Sequence, residues 1–329
     1  MRMSVAQESM LSLHRQSMNA FHRRLYAVVN PKAALGRARR FWPQLQKQLQ
    51  ERIGPFPWNW TGAPMDATSL VRSALQQGYD LIVSVGGDGT HNEVINGFFT
   101  NGAILNPRAT LSVVSCGSGS DLCRSLGIDR GIASTLETIL SGQERQVDVG
   151  RLQFTGPSSS VCERLFLNIA SLGISARVNS NLAKQPHFLG GSGRFFLATV
   201  RMLLEHQQDR VSLEIDGKVI PHQLISMVAA ANGKFFGGGI RLAPHARLDD
   251  SLFDVVIIGT VSLLDFMLWG LRFYQGRYLT HPRVQYRKAR TIRARSDLPV
   301  PVEVDGETVG TLPASFTVLP RAVRILAPR

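Results

Sequence analysis

Cysteine is scarce in this chain, which excludes a fold stapled by disulfides. Only Cys116, Cys123 and Cys162 occur in 329 residues. They form no CxxC pair and no metal spacing, as expected in a reducing, cytoplasmic setting. Long apolar runs are missing as well. None reaches the roughly 18 residues that a membrane-spanning helix needs. The first 24 residues carry scattered polar groups and His22-Arg23-Arg24 but no apolar centre, so they read as an N-terminal extension rather than a signal peptide. Acidic residues are outnumbered by basic ones, 24 against 37, for a net charge of +13. That excess suits an anionic partner, whether nucleic acid, an acidic membrane surface or a phosphorylated small molecule; it is equally compatible with a merely basic surface. Familiar signatures are also lacking. There is no GxxxxGK[ST] and no GxGxxG after a strand; Gly117 and Gly119 start that spacing, but Leu122 occupies the third place. HExxH and GxSxG are absent too.

Hydrophobic residues make up 44% and charged residues 19%, enough apolar material for a packed core. The length suits about two domains. Up to residue 146, strand and helix signals alternate: LYAVVN (25–30), a helix from Gly36 to about Arg52, WNWT (58–61), a helix from Asp66 to Gln77, DLIVSV (80–85), a helix from Thr90, LSVVS (111–115) and a helix start from Gly119. Continuously apolar strands between helices predict an α/β fold, a doubly wound and mainly parallel sheet. Beyond residue 146 the texture is β-rich. VDVGRLQF, RLFLNIASLG, VSLEIDG, LISMVAAANG, LFDVVIIG and RTIRAR read as strands, interrupted by helices near 192–205 and 261–275. Val211, Leu213 and Ile215 alternate with polar residues, the period of a half-exposed antiparallel strand. The short strands 315–319 and 322–326 could join either part.

The stretch GGDGT (86–90) poses the chemical question. Glycines at a strand end let a ligand approach the backbone, and the free N–H groups of the following helix favour phosphate. Asp88 is out of place in such a cradle unless it holds a metal, orients a donor or takes a proton. A plain turn with Thr90 as N-cap is the competing account. Asp305-Gly306 likewise reads as a hairpin turn that leaves Glu307 solvated, Asp249-Asp250-Ser251 as an ordinary loop, and Lys32 and Arg37 as surface charges.

Taken in order, these stretches resemble the diacylglycerol and sphingosine kinase superfamily, especially its bacterial lipid kinases. GGDGTHNEVINGF (86–98) resembles the signature loop, VVNPKAALGRA (28–38) the opening Asn-Pro loop, and CGSGSDLCRSLGI (116–128) the Gly-Thr-x-Asn-Asp segment. VDVGRL (147–152) resembles the entry to the second domain, APHARLDDSLFDVVI (243–257) the metal loop and VEVDGE (302–307) the late acidic motif. The resemblance covers roughly residues 25–326. It implies an α/β nucleotide domain (25–146, rejoined by 315–329), a β-sandwich-rich lipid domain (147–314) and an active-site cleft between them. It also implies ATP- and magnesium-dependent phosphorylation of a lipid hydroxyl at an anionic membrane surface. No nucleic acid is implied, and the choice between monomer and homodimer stays open. By the same resemblance Gly86, Gly87, Asp88, Gly89, Thr90 and Asn92 surround the ATP phosphates, Asn30, Lys32 and Gly36 close over them, and Thr61 and Ser118 contact the nucleotide. Asp250 holds magnesium with the carbonyls of Arg247 and Leu252, and Glu307 is the base with Asp88 beside it. The chain departs from the pattern at Ala34 and Ser251, where the family has glycine, and at Ser118 and Ser120, which replace threonine and asparagine.

Two other readings stand beside a lipid kinase: a kinase of a soluble substrate such as NAD, which shares the GGDG loop, and a non-catalytic nucleotide- or lipid-binding module. Basic segments suited to anionic headgroups are RVQYRKARTIRAR (283–295) and Arg37, Arg39 and Arg40. FLGGSGRFFLATVRMLL (188–204) and FMLWGLRFY (266–274) are either core helices or walls of an apolar slot.

Overall fold

The structure, a computed structural model, describes residues 21–117, 119–182, 197–202, 204 and 208–329. Most of the N-terminal extension, Ser118, and Phe195, Phe196 and Leu203 of the first apolar stretch lie outside the described residues.

The first half is built from β1 (Leu25–Val29), α1 (Ala33–Ile53), β2 (Trp58–Trp60), α2 (Asp66–Gln76), β3 (Leu81–Gly86), α3 (Asp88–Gly97), the short β4 (Phe99–Thr100) and β5 (Ala103–Ile104), β6 (Thr110–Ser115), α4 (Asp121–Leu126) and α5 (Ile132–Ser141). Strands β2, β1, β3 and β6 lie side by side and parallel. The apolar run of β3 is explained by burial on both faces. Leu81, Val83 and Val85 join Trp42 and Leu45 of α1 in one core, while Ile82 joins Val71, Val94 and Ile95 from α2 and α3 in another. Truncating any of these to alanine should cost about 2–5 kcal/mol. Because the strands are parallel, their carboxyl ends share one edge. Asn30 N–H donates to Val85 O at 2.9 Å, Cys116 N–H to Gly86 O at 2.8 Å, and Thr61 N–H to Val29 O at 2.9 Å. Chain order reverses between β1 and β3, the place where open α/β sheets bind ligands.

The second half comprises β7 (Gln143–Thr155), β8 (Val161–Phe166), β9 (Ile169–Gly173), α6 (Ile174–Leu182), β10 (Asp209–Ile215), β11 (Lys218–Ala231), β12 (Phe253–Gly259), α7 (Leu263–Gln275), β13 (Val284–Ala289), β14 (Thr291–Arg295), β15 (Pro301–Val304) and β16 (Glu307–Ala327). Its strands pair antiparallel around a core that includes Leu172, Val211, Leu213, Val302 and Phe316, with Phe166 and Phe253 stacked at 5.5 Å. The expected alternation along β10 is present, with Val211, Leu213 and Ile215 buried. β16 is one long strand where two short ones were expected, with a register shift between Leu319 and Val323. Its end pairs parallel to β6 through Arg324 and Ile325, so the last residues lie in the first sheet. RLFLNIASLG is two strands. The break at Leu167-Asn168 arises because the peptide N–H groups of residues 167–169 turn to the Asp305 carboxylate. α5 and α6 had no clear sequence signal.

Candidate active site

The cradle begins where β3 ends. Gly87 is in extended backbone (φ −107°, ψ −176°) and acts as N-cap, so α3 starts at Asp88, two residues earlier than Thr90. The N–H groups of its first turn lack intrahelical partners and share the positive end of the helix dipole. Asn30 Nδ2 donates to Thr90 Oγ1 at 3.0 Å and Asn30 Oδ1 accepts from Lys32 N–H at 2.9 Å, tying the opening loop to this turn. Gly117 closes the other side; a Cβ there would lie 2.7 Å from Gly87 Cα.

The late acidic motif arrives from the second half. Asp305 and Gly306 have φ of 46° and 91°, the positive pair that a tight two-residue hairpin requires. The Asp305 carboxylate accepts N–H groups from Asn168 at 3.2 Å and Ile169 at 3.0 Å, and Asn92 Nδ2 at 2.9 Å. This anchored turn delivers Glu307 over the start of α3. A Cβ at position 89 would meet Glu307 Oε1, so a larger residue there would push the Glu307 carboxylate off the start of α3. Arg164 Nη2 lies 3.5 Å from Glu307 Oε2.

Between these parts is a cavity of about 370 Å³, lined by Asn30, Gly87 to Thr90, Asp121, Asn168, Gly238 and Asp305 to Glu307. A second hollow of about 750 Å³ shares Asn30, Thr90, Glu93 and Glu307 with it and adds Lys32, Thr61 and Arg164. Together they have the size of a small-molecule site. The electrostatics are acidic and partly dry. Asp88 accepts the N–H groups of Asp121 and Leu122, each at 3.2 Å. Burial, reinforced by Asp88, pushes the Asp121 carboxyl up to about 6. Burial also raises Glu307, while the Arg164 guanidinium opposes the rise. His91 lies behind the cradle. Its Nδ1 pairs with Ser84 Oγ at 2.7 Å, and burial lowers it to about 4, so it is neutral at pH 7.

The structure thus brings Asn30, Gly87, Asp88, Gly89, Thr90 and Glu307 to one cavity and Lys32 and Thr61 to the adjoining hollow. Gly86 packs behind it against Thr90, and Gly36 (φ 83°) ends the opening loop. Asn92 does not face the cavity. It is buried and committed to Leu165 O, Asp305 and Arg164. Ser118 lies outside the described residues. The largest departure concerns Arg247, Asp250 and Leu252, none of which lines either hollow. Asp250 Oδ2 receives Lys288 Nζ at 2.5 Å, Oδ1 accepts Leu252 N–H at 3.2 Å, and Arg247 turns to Asp249 at 3.4 Å. No group of three His, Cys, Asp or Glu suited to a metal gathers among the described residues. The Lys288 ammonium pairs with Asp250, and a divalent ion on Asp250 and the carbonyls of Arg247 and Leu252 would have to displace it. Asp121, Arg164, Asn168 and Gly238 were not expected at the site. Only the glycine run Gly237–Gly239 could have pointed to the last.

Comparison with known proteins gives a consistent picture. Residues 24–152 match the model of the diacylglycerol kinase catalytic domain, and residues 168–327 that of the YegS C-terminal NAD kinase beta sandwich-like domain. A diacylglycerol kinase of Staphylococcus aureus strain JH9 is 30% identical over 264 residues, 80% of this chain and 79% of its own. One of Bacillus subtilis strain 168 is 29% identical over 265 residues, 80% of this chain and 83% of its own. A diacylglycerol kinase structure from Bacillus anthracis strain Sterne superposes with a TM-score of 0.67 at 20% identity, over 93% of this chain and 97% of that one. A yeast NADH kinase structure is more distant, with a TM-score of 0.51 at 12% identity over 93% of this chain and 84% of that one.

Proposed function

The chain belongs to the diacylglycerol kinase family and is a lipid kinase, and from that premise we propose that it transfers the γ-phosphoryl group of ATP, delivered with magnesium, to the hydroxyl of a diacylglycerol-like lipid at a membrane surface. None of the described helices is long and apolar enough to cross a membrane. The observation that carries this reading is Glu307 resting on Gly89, a carboxylate from one half set against the anion-binding turn of the other.

Phosphoryl transfer asks chiefly for alignment and charge stabilisation. The triphosphate lies along the first turn of α3, with Asn30, Lys32 and Thr61 at its sides. The lipid hydroxyl enters beside Glu307. As its oxygen bonds to the γ-phosphorus and the bond to the β-phosphate oxygen breaks, Glu307 takes the hydroxyl proton and ADP leaves. A carboxylate with a raised pKa suits that step. Magnesium carried by the nucleotide would be held by Asp88 and Asp121 and would offset the charge on the phosphates.

The test is incubation with γ-labelled ATP, magnesium and separate acceptors: diacylglycerol, phosphatidylglycerol, ceramide, monoacylglycerol and, as a soluble control, NAD. Label in the phosphorylated diacylglycerol-like lipid is expected. Label confined to NAD, or none in any lipid, would refute the reading.

A further inference from the structure

Helix α7 turns apolar side chains to water. Leu264, Met267, Leu268 and Leu271 are between 61 and 72% exposed. At 100° per residue their spacing places all four on one stripe. The opposite side supplies Trp269 and Phe273 to a core shared with Tyr278 and Val256. Both faces are therefore apolar, and a contiguous exposed stripe of this kind marks an interaction surface.

Charge beside the helix selects the partner. Arg272 and Arg277 are exposed at its C-terminal end. Arg241 packs against Gly276 there and donates its N–H to Tyr274 O at 3.4 Å. Arg241 also lines a hollow of about 480 Å³ together with Arg124, Arg145, Lys234 and Arg329. Arg124 pairs with Asp121 at 2.7 Å, whereas Arg145, Lys234 and Arg241 form no ion pair with the described residues. The basic run 283–295 is more fully matched: Arg283 meets Asp265, Lys288 meets Asp250 and Arg293 meets Glu214. Beneath α7, Val261, Phe273, Met227 and Phe236 border an apolar cavity of about 100 Å³, and Phe236 is also a wall of the catalytic cavity.

Resting on the lipid-kinase reading, we propose that α7 and the basic hollow at its C-terminal end form the docking surface for an anionic bilayer. The leucine stripe enters the acyl region and the hollow receives phosphate headgroups, while the apolar cavity lies on the inner side of the helix.

The experiment is sedimentation with vesicles of phosphatidylcholine alone or mixed with phosphatidylglycerol. The wild type should bind the mixed vesicles, more weakly as salt rises. Leu264→Ser/Leu268→Ser/Leu271→Ser and, separately, Lys234→Gln/Arg241→Gln should each weaken binding about tenfold or more, and the second should flatten the salt dependence. Undiminished binding by either variant would overturn the proposal. So would a loss of self-association in the triple variant with vesicle binding intact, which would give the stripe to a second copy. As a check that needs no disruptive change, an environment-sensitive dye on Met267→Cys should shift to the blue on mixed vesicles; an unchanged emission would reject insertion. Phosphorylation of a short-chain diacylglycerol dissolved as monomers should stay within about twofold of wild type in the variants, since α7 acts at the interface. If the wild type fails that assay while binding vesicles, the kinase reading falls and the docking surface stands.

Discussion

Two acidic clusters stand in different parts of the molecule. Asp88, Asp121 and Glu307 meet at the cavity, where Asp88 and Asp121 accept backbone N–H groups and the arginines at hand are Arg124 and Arg164. Asp148, Asp250 and Asp254 meet beside β12 and β13. There Asp148 accepts N–H groups from Ser251 and Arg321 at 2.7 Å, Asp250 receives Lys288, and Asp254 receives Tyr286 Oη at 2.6 Å. Burial holds carboxyls above their usual range in both, Asp121 and Glu307 in the first and Asp148 and Asp254 in the second. The first lines a cavity open to a ligand, whereas in the second Lys288 takes Asp250 and Tyr286 takes one oxygen of Asp254. If Glu307 is the base proposed above, the same residue type would serve chemistry in one place and architecture in the other.

The sharpest way to break this contrast is to neutralise Glu307. Glu307→Gln keeps the shape above Gly89 and removes the proton acceptor, so kcat should fall by about 10²–10⁴-fold with an unchanged circular dichroism spectrum. Activity within a few-fold of wild type would remove Glu307 from the chemistry. A smaller effect is expected from its partner. Because Glu307 is raised by burial and pulled down by Arg164, the acid limb of the kcat profile should lie above an ordinary carboxylate's pKa, with activity lost as pH falls through it. Arg164→Gln should move that limb upward, by an amount limited by solvent screening of a half-exposed group. A downward move would contradict the assignment.

The second cluster should respond in stability, not rate. Asp250→Asn breaks a partly exposed ion pair and should lower stability by about 1 kcal/mol, about 1–2 °C in Tm, with kcat/KM within about twofold. A resident magnesium would add stability by mass action. Without nucleotide, then, the wild-type Tm should be the same in EDTA and in millimolar magnesium. A Tm raised by magnesium and lost in Asp250→Asn would restore the metal to this loop.

How much of this could be read from the residues follows from sequence distance. β3 was legible because both its faces are covered, and β10 because only one is. The cradle was legible only with the other motifs beside it, since glycines at a strand end serve a plain turn equally well. The start of α3 was misplaced because Gly87 caps it with no side chain, while Thr90 offered a hydroxyl of the usual kind. The bonds from Asp305 to Asn168 span 137 residues, and the Lys288–Asp250 pair spans 38. Neither partner carries any local mark of the other. Arg164 and Asn168 sit in ordinary strand sequence, so the closing wall of the site was invisible until β8 and β9 met the β15–β16 turn.

The smallest expected effect separates the clusters through their backbones. Ala34 and Ser251, both at places where the resemblance expects glycine, have φ of 48° and 62°. A residue with a Cβ pays about 1–2 kcal/mol in that region, part of which glycine returns as extra freedom when unfolded. Either change to glycine should therefore stabilise by about 0.5–1 kcal/mol, a rise of about 1 °C in Tm. Ser251 N–H would still reach Asp148, so Ser251→Gly should leave the KM for ATP untouched. Ala34 borders the catalytic cavity, followed by Leu35 and Gly36 at φ of 58° and 83°. Freeing that loop should raise the KM for ATP about twofold while the protein melts higher, because a loosened loop would then have to be ordered on binding. Equal KM values in the two variants would mean that the opening loop does not hold the nucleotide.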